Sequence, residues 1–304
     1  EAYERYLELA PGDAEVEHIL ISLRDGPAPS RASDACILQL YERFAEFYER
    51  NMCEDLEYNA PTLLNEALAQ HLTGAHNLDI LELGCGTGLA APHLRRRARQ
   101  LTGIDLSPDM LEHARATGAY DRLEAAEITE WLARAASADF DLVAACDTLI
   151  YFGDLGQVLV PAAKRLRNGG GVVFTVERSE GDLFRLTDSG RYVHSEAHIR
   201  DAARAAGLDT VSVTPAVLRY EYGEPVNGLV TDDPGAPTTQ KYGQNVENGW
   251  WKPTDAADGV GSVYFYMGNF LACNAGEVFQ PTKISYGIWR GGSVKSEEHT
   301  SELQ

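Results

Sequence analysis

The residues best suited to chemistry lie in one glycine-rich segment, Glu82-Leu83-Gly84-Cys85-Gly86-Thr87-Gly88. This segment follows a short apolar run, Ile80–Leu83, and the residues after it can begin a helix. Glycines allow the backbone to turn sharply and to approach a ligand closely. Ligands of open α/β sheets bind at the carboxyl ends of the strands. The segment therefore predicts a ligand-binding loop between a strand and a helix.

A carboxylate stands at the end of the next predicted strand, Leu101–Asp105. An acidic residue about 20 positions beyond a glycine loop is where a ribose finds a hydrogen-bond acceptor. The glycine spacing distinguishes between ribose-containing cofactors, because a dinucleotide fingerprint requires Gly or Ala at the position that Leu89 occupies here. The bulk of Leu89 would hinder close helix–strand packing, so the spacing disfavours a nicotinamide-dependent oxidoreductase.

An acidic residue followed by GxGxG resembles the first motif of the class I S-adenosylmethionine-dependent methyltransferases. Further segments similar to this family are LYERFAEFYERN (40–51), TLIYFGDL (148–155), GRYVHSEAHI (190–199) and VLRYEYGEPVNGL (217–229). The likeness covers residues 33–232 and is greatest to bacterial-type members that carry tetratricopeptide repeats before the enzyme domain. It implies S-adenosylmethionine as the cofactor but says little about the methyl acceptor.

The resemblance also implies which residues bind the cofactor. In the glycine loop they are Glu82, Gly84, Cys85, Gly86 and Gly88, and Asp105 would bind the ribose. Glu127, after a predicted third strand, would face the adenine amino group, or is a plain surface residue. Leu106 and Met110 would sandwich the adenine ring, or serve only in helix packing. The backbone around Cys146 and Asp147 would lie near the methionine end.

Methyl transfer is an in-line displacement at the carbon of a sulfonium, so aromatic and acidic walls are favourable around it. Candidates for such walls are Phe44, Tyr48 and Tyr151, although Phe44 and Tyr48 also fit a helical core stripe. The sequence does not identify a catalytic base. His194, His198 and Tyr151 are candidates, and a role at the start of a helix is the alternative for either histidine.

The periodicity predicts the elements that position these residues. Apolar runs at 80–83, 101–105, 140–146 and 171–177 alternate with helical patterns, and strand-like runs follow at 211–220. The predicted fold is therefore α/β: a Rossmann-like, doubly wound, mostly parallel sheet with an N-terminal helical segment. Four parts are predicted: partial tetratricopeptide-like helices and a linker (1–30), a helical cap (31–75), the methyltransferase domain (76–232) and an unassigned tail (233–304).

The two ends of the chain are the least typical parts. Residues 2–11 resemble the end of a tetratricopeptide repeat, with an ordinary amphipathic helix as the alternative, and residues 1–24 predict two helices broken at Pro11-Gly12. The last residues, 296–304, resemble a translated sequencing adapter. We expect the tail to be chimeric or artefactual, or else a small β-rich appendage.

Composition restricts the partners. The formal net charge is −20, which disfavours phosphate clamping and hence a nucleic-acid substrate. The residues Cys146-Asp147-Thr148-Leu149 replace the motif typical of enzymes that methylate exocyclic amines of DNA bases. The chain contains no long apolar run, and its five cysteines include no CxxC motif, so no membrane span, no metal site and a reducing, cytoplasmic compartment are expected.

A small-molecule acceptor is the leading hypothesis. A protein acceptor recruited through the N-terminal helices and a noncatalytic cofactor-binding module are the alternatives.

Overall fold

The computed structural model describes residues 2–24, 26–44, 48, 51–52, 56–72, 74–134, 137–181, 183–210, 212–221, 224–234, 287–290 and 293–296. Numbered in chain order, the helices are α1 (Ala2–Leu9), α2 (Ala14–Ser22), α3 (Asp34–Phe44), α4 (Ala60–His71), α5 (Ala91–Arg95), α6 (Pro108–Ala116), α7 (Ile128–Ala133), α8 (Gly156–Arg165) and α9 (Glu196–Ala205). A 3₁₀ turn spans Leu149–Tyr151. The strands are β1 (Leu78–Leu83), β2 (Ala98–Asp105), β3 (Arg122–Ala125), β4 (Phe140–Ala145), β5 (Leu166–Arg178), β6 (Phe184–Leu186), β7 (Tyr192–His194), β8 (Ser212–Glu221), β9 (Glu224–Pro234), β10 (Gly287–Arg290) and β11 (Ser293–Ser296).

Nine strands form one central sheet in the order β3-β2-β1-β4-β5-β7-β6, with β9 beside β5 and β8 beside β9. The pairs β1–β2, β1–β4, β2–β3 and β4–β5 are parallel, whereas β9 runs antiparallel to both β5 and β8. Helices cover both faces of the sheet, and two separate apolar clusters lie on opposite sides of its central strands. The predicted Rossmann-like, mostly parallel sheet is confirmed.

Burial on both faces explains why the central strands are continuous apolar runs. All six residues of β1 are buried. Every residue of β4 is buried except Asp141, which is half-buried. The helices begin where the sequence predicts. The Ser107 hydroxyl accepts a hydrogen bond from the Met110 N–H at 3.3 Å, and the Ser195 hydroxyl accepts one from the His198 N–H at 3.1 Å. These caps fix the points at which α6 and α9 leave the sheet.

One predicted helix boundary is wrong. The helical pattern predicts that α8 ends near Asn168-Gly169, but the helix stops at Arg165 because Leu166 already pairs with Phe140 as the start of β5. The division into four parts stays a prediction, and β9 runs two residues past its boundary at 232, to Pro234, which pairs with Gly171. The described residues after Pro234 form one antiparallel pair of strands, β10 and β11.

The N-terminal residues form the two predicted helices, with Gly12 at φ 89° between them. The Asp13 side chain caps α2 by accepting from the Val16 N–H at 3.1 Å. The likeness of this segment to a tetratricopeptide repeat stays a prediction. Among the residues that the structure describes, no helix combines the length and the apolar character needed to cross a membrane.

Candidate functional site

A cavity opens at the carboxyl ends of the central strands. Its walls come from the linker before α3, from α3 and residue 48, from the ends of β1, β2 and β4, and from the starts of α6 and α7. The lining residues are Arg31, Ile37, Tyr41, Tyr48, Gly84, Gly86, Asp105, Leu106, Met110, Glu127, Ile128, Cys146, Asp147, Thr148, Tyr151 and Phe152.

The glycine loop has the backbone conformation that its composition predicts. Gly84 and Gly86 have φ angles of 62° and 53°, a region that other residues rarely occupy. A Cβ atom on Gly84 would overlap the side chain of Thr148, whose hydroxyl donates to the Gly84 carbonyl at 3.1 Å. A Cβ atom on Gly86 would meet nothing within 4 Å. Gly84 is thus required for packing, and Gly86 leaves open space at the cavity wall.

Asp105 joins the loop to the next helix. One oxygen of its carboxylate accepts from the Gly86 N–H at 2.8 Å, and the other accepts from the Ser107 N–H at 2.9 Å. Burial raises the pKa of Asp105, and these backbone hydrogen bonds oppose that shift. A carboxylate has about four acceptor positions, so both oxygens can accept a further donor from a ligand in the cavity.

Glu127 also lines the cavity, where it is the N-cap of α7. Its Oε2 accepts from the Glu130 N–H at 2.8 Å and from the Thr129 hydroxyl at 2.5 Å. Its Oε1 lies 3.5 Å from Arg31, which also pairs with Asp34 at 2.6 Å. Burial raises the pKa of Glu127, but these hydrogen bonds outweigh it and the pKa is lowered overall. Glu127 is therefore both a capping residue and a charged group in the cavity wall.

Residues 29–32 hold the mouth of the cavity. The Ser30 carbonyl accepts from the N–H groups of Gly153 and Asp154 at 2.8 and 3.0 Å, and the Ala32 N–H donates to the Tyr151 carbonyl at 2.8 Å. Arg31 forms an isolated bridge with Phe152. These contacts join the linker to the turn after β4 and place Arg31 in the wall.

Three tyrosines form the aromatic side of the cavity. The Tyr41 ring meets those of Tyr48 and Tyr151 edge-on, with centroids 5.9 and 6.1 Å apart, and the Tyr41 and Tyr151 hydroxyls lie 2.9 Å apart. Burial raises the pKa of Tyr151 to about 12, so this phenol is neutral at pH 7. Tyr48 and Tyr151 thus lie where aromatic walls were predicted, while the side chain of Phe44 lies outside the described part of the chain.

Asp147 connects the cavity to a buried ionic network. It has φ 53°, unusual for a residue other than glycine. Its Oδ2 accepts from Arg219 at 2.9 Å, and its N–H donates to the Thr175 hydroxyl at 2.8 Å. The other members of the network form ion pairs behind the wall: Arg219–Glu177, Arg219–Glu221, Arg191–Glu177 and Arg191–Glu221.

Three residues predicted to bind the cofactor lie behind the cavity wall. The Glu82 carboxylate is buried and accepts from the Tyr120 hydroxyl at 2.7 Å, and burial raises its pKa to about 8. The Cys85 N–H donates to the Ile104 carbonyl, and Gly88 packs against Tyr120. All three shape the loop from behind, whereas the other predicted residues line the cavity.

The two candidate histidines lie away from the cavity. The rings of His194 and His198 stack with centroids 5.5 Å apart, next to Phe184. His194 is fully buried, which lowers its pKa to about 3, and the His198 ring nitrogen Nε2 lies 3.1 Å from the Gly153 carbonyl. Both pack beneath the turn at 149–154, so the alternative role at the start of α9 fits them better than base catalysis.

Six wall residues were not predicted as site residues from the sequence: Arg31, Ile37, Tyr41, Ile128, Thr148 and Phe152. The bridge between the linker and the turn brings Arg31 and Phe152 together. Thr148 and Phe152 lie in the family-like segment 148–155. Among the described residues, no group of three His, Cys, Asp or Glu side chains is arranged to hold a metal ion.

The sequence has a cluster of arginines at positions 95–97 and 99, where a helix end is predicted, and three of them bind groups of the chain itself. Arg95 pairs with Asp121 at 2.5 Å, Arg97 donates to Asn65 at 3.0 Å, and Arg99 pairs with the buried Asp79. These partners leave little of the cluster to bind phosphates, in line with the interpretation of a helix end.

The described cysteines Cys36, Cys85 and Cys146 are unbridged, and Cys53 and Cys273 lie outside the described residues.

The strand order, the glycine loop and the carboxylates after β2 and β3 define a Rossmann-like domain of the class I methyltransferase type. Comparison with known proteins agrees, since residues 80–170 match the family described as a methyltransferase domain. Methyltransferase-like protein 27 of Homo sapiens is 35% identical over 151 residues, 48% of this chain and 60% of that protein. The ubiquinone biosynthesis O-methyltransferase of Paracidovorax citrulli is 30% identical over 165 residues, 46% of this chain and 69% of that protein. The chain belongs to the S-adenosylmethionine-dependent methyltransferases.

A solved structure has the same fold. The 1,6-didemethyltoxoflavin-N1-methyltransferase of Burkholderia thailandensis, crystallised with its acceptor and S-adenosylhomocysteine, superposes with a TM-score of 0.54. It is 22% identical in sequence, and the match covers 70% of this chain and 94% of that one. At this identity the likeness supports the fold alone. The chain spans about half to three-fifths of the length of the first curated relatives it matches.

Proposed function

We propose that this chain transfers a methyl group from S-adenosylmethionine to a small-molecule acceptor in the cavity. The observation that carries the proposal is the convergence of Gly84, Gly86, Asp105 and Glu127 on one cavity at the carboxyl ends of the strands. The glycine backbone, with open space at Gly86, and the two carboxylates there provide close backbone approach and hydrogen-bond acceptors for a nucleoside.

The wall residues suggest how the cofactor lies. Asp105 would accept from the ribose hydroxyls, Glu127 from the adenine amino group, and Leu106 and Met110 would cover the adenine ring. Cys146 directly follows β4, the strand that pairs with β1, and the methionine part of the cofactor would extend there. S-adenosylmethionine supplies the methyl group on a sulfonium, and the chain's contribution is to hold the acceptor in line with it. Such positioning contributes about 7–11 kcal/mol in well-oriented reactions.

Tyr151 is the one predicted catalytic candidate that lines the cavity. Its pKa of about 12 makes it a hydrogen-bond donor at neutral pH and a poor general base. Its hydroxyl is already oriented by Tyr41. We therefore assign Tyr151 to orientation of the acceptor.

Some named relatives support a small acceptor. The ubiquinone biosynthesis O-methyltransferases are among the matched proteins. The malonyl-[acyl-carrier protein] O-methyltransferases, which are also matched, are named for an acceptor held on a carrier protein.

Calorimetric titration of the full chain with S-adenosylhomocysteine tests the proposal. We expect micromolar binding, and a loss of about 10- to 100-fold in Asp105→Asn, because a hydrogen bond to a charged group contributes about 1.5–3 kcal/mol. Asp109→Asn is the matched control, since Asp109 is exposed in the first turn of α6, the helix that follows Asp105. Absence of binding, or binding of NADH in its place, would contradict the proposal. Formation of methylated product separates an enzyme from a noncatalytic binding module.

One observation favours the alternative of a protein acceptor. Helix α1 buries none of its residues, and Tyr3, Tyr6 and Leu9 are exposed, Leu9 by 78%. The double variant Tyr3→Ser/Leu9→Ser should leave methylation of a small acceptor unchanged. A selective loss of activity on a protein acceptor in this variant would favour the alternative.

A further inference from the structure

The wall opposite Asp105 carries a carboxylate with one unsatisfied oxygen. The Asp147 side chain is only 8% exposed, and it lines the cavity. Arg219 engages Oδ2, but Oδ1 is buried and has no hydrogen-bond partner among the described residues. A buried carboxylate oxygen without a donor is costly, and such atoms in native proteins usually have a role. A ligand donor in the cavity would satisfy it.

The charges around Asp147 leave an excess of negative charge. The network consists of two guanidinium groups and three carboxylates, namely Arg191, Arg219, Asp147, Glu177 and Glu221. The pKa of Glu221 is lowered and that of Arg219 is raised, burial opposing both shifts and the mutual ion pairs causing them. Both are thus charged at neutral pH. The member of the network that reaches the cavity is Asp147, so the excess faces the ligand.

Aromatic groups surround the same carboxylate. Burial is the main cause of the raised pKa of Tyr48, and the Asp147 charge raises it further. Burial also raises the pKa of Tyr151, where the charges of Arg191 and Arg219 oppose that of Asp147. Both phenols thus lie within the electrostatic reach of Asp147. Tyr41 packs edge-on against both rings. Tyrosine rings next to a carboxylate form a wall that favours a cation over an anion.

The position of Asp147 separates it from the adenosine part of the site. Asp105 and Glu127 follow β2 and β3, on one side of the glycine loop, whereas Asp147 follows β4 on the other side. The residues that hold Asp147 come from β5 and β8, still farther from β2. The Asp147 carboxylate therefore lies on the half of the sheet away from the residues proposed to bind the adenosine.

We infer that Asp147 and the tyrosine wall bind a methyl acceptor that carries a protonated amine or a comparable cation, with Asp147 Oδ1 accepting its hydrogen bond. This inference rests on the proposed function and adds the acceptor class to it. Asp147 acts as a specificity residue, and the φ of 53° directs its side chain between Arg219 and the cavity.

The test measures binding of three matched probes to the full chain saturated with S-adenosylhomocysteine. The probes are 3-phenylpropan-1-amine, 3-phenylpropan-1-ol and 3-phenylpropionate, which share a phenyl ring with a three-carbon chain and differ in charge. We expect the amine to bind at least about 10-fold tighter than the alcohol, and the carboxylate to bind weakest. In Asp147→Asn the amine should lose this preference to within about twofold. Asparagine keeps an oxygen for Arg219 and tolerates positive φ.

Glu221→Gln is the matched control, because it removes the same charge from the same network at a residue that does not line the cavity. This variant should keep the preference for the amine. Equal loss in both variants would overturn the inference, since the network charge alone would then explain the effect. An unchanged preference in Asp147→Asn together with weaker S-adenosylhomocysteine binding would also overturn it, by assigning the carboxylate to the cofactor.

The wild-type comparison decides the inference even if Asp147→Asn does not fold, because equal binding of amine and alcohol, or binding of none of the probes, contradicts it. Failure of S-adenosylhomocysteine to bind would instead refute the proposed function. The two failures are thus distinguishable.

Discussion

Alanine should have different effects at two positions of the glycine loop, Gly84 and Gly86. Both have positive φ, so alanine at either position incurs the left-handed backbone penalty of about 1–2 kcal/mol. At Gly84 the added methyl group would also overlap Thr148, and overpacking costs a further 1–3 kcal/mol or so. Gly84→Ala should therefore lower the free energy of unfolding by about 2–5 kcal/mol. Gly86→Ala should lower it by only about 1–2 kcal/mol, because its methyl group enters open space.

For the affinity of the ligand the order should be the reverse, with Gly86→Ala the more harmful of the two substitutions. The Gly86 methyl group would occupy space at the cavity wall and would weaken S-adenosylhomocysteine binding at least about 10-fold. Urea unfolding gives the stabilities, and calorimetry gives the affinities.

A double-mutant cycle tests the cause of the Gly84 effect. Thr148→Ala removes the two nearest of the three side-chain atoms that a Gly84 methyl group would meet and leaves the Cβ, which would lie at 3.0 Å. The change also removes the hydroxyl that hydrogen-bonds to the Gly84 and Cys146 carbonyls. Alanine at both positions should therefore be less destabilising than the sum of the two single changes, by about 1–3 kcal/mol. Equal destabilisation by Gly84→Ala and Gly86→Ala, or strict additivity in the cycle, would refute the packing argument. Wild-type affinity in Gly86→Ala would refute the placement of the cofactor.

Two further predictions concern buried charge. Burial raises the pKa of Glu82 from 4.5 to about 8, so between these values the folded chain keeps a proton that the unfolded chain has lost. Stability from this group is fully present below pH 4.5 and falls as pH rises towards 8, by at most about 1.4 kcal/mol per pH unit. The difference in unfolding free energy between wild type and Glu82→Gln should follow this slope, and a pH-independent difference would contradict it. Arg219→Met should destabilise the fold by about 3–5 kcal/mol, because Asp147 and Glu177 lose a buried partner. The control Arg204→Met removes an exposed pair with Asp201 and should change stability by less than about 1 kcal/mol, and similar effects in both variants would argue against the network.

Local patterns predicted most of the sheet and its ligand loop. Runs such as 80–83 and 101–105 became strands because they are buried on both faces, and Ser107 and Ser195 capped helices where expected. The sequence indicated the carboxylates Asp105 and Glu127 of the cavity wall because their positions follow directly from the ends of strands.

Contacts between distant segments were beyond these patterns. Arg31 enters the cavity wall only because Ser30 and Ala32 bond to the turn at 149–154, more than 100 residues away. The two candidate histidines do not line the cavity, and the spacing that begins α9 does not show that the His194 ring is buried. The early end of α8 depends on the pairing of Leu166 with Phe140, which no local pattern reports.

The position of β9 has a consequence for the order in which the molecule can be completed during synthesis. Strand β5 pairs with β4 on one side and over residues 171–177 with β9 on the other, yet β9 is made some 50 residues later. Until residue 234 has left the ribosome, the amide and carbonyl groups along that side of β5 have no strand partner from β9. Exposed strand edges of this kind promote association with other chains. A nascent chain that stops before residue 224 would therefore expose an unpaired strand edge, prone to association, in the middle of its own sheet.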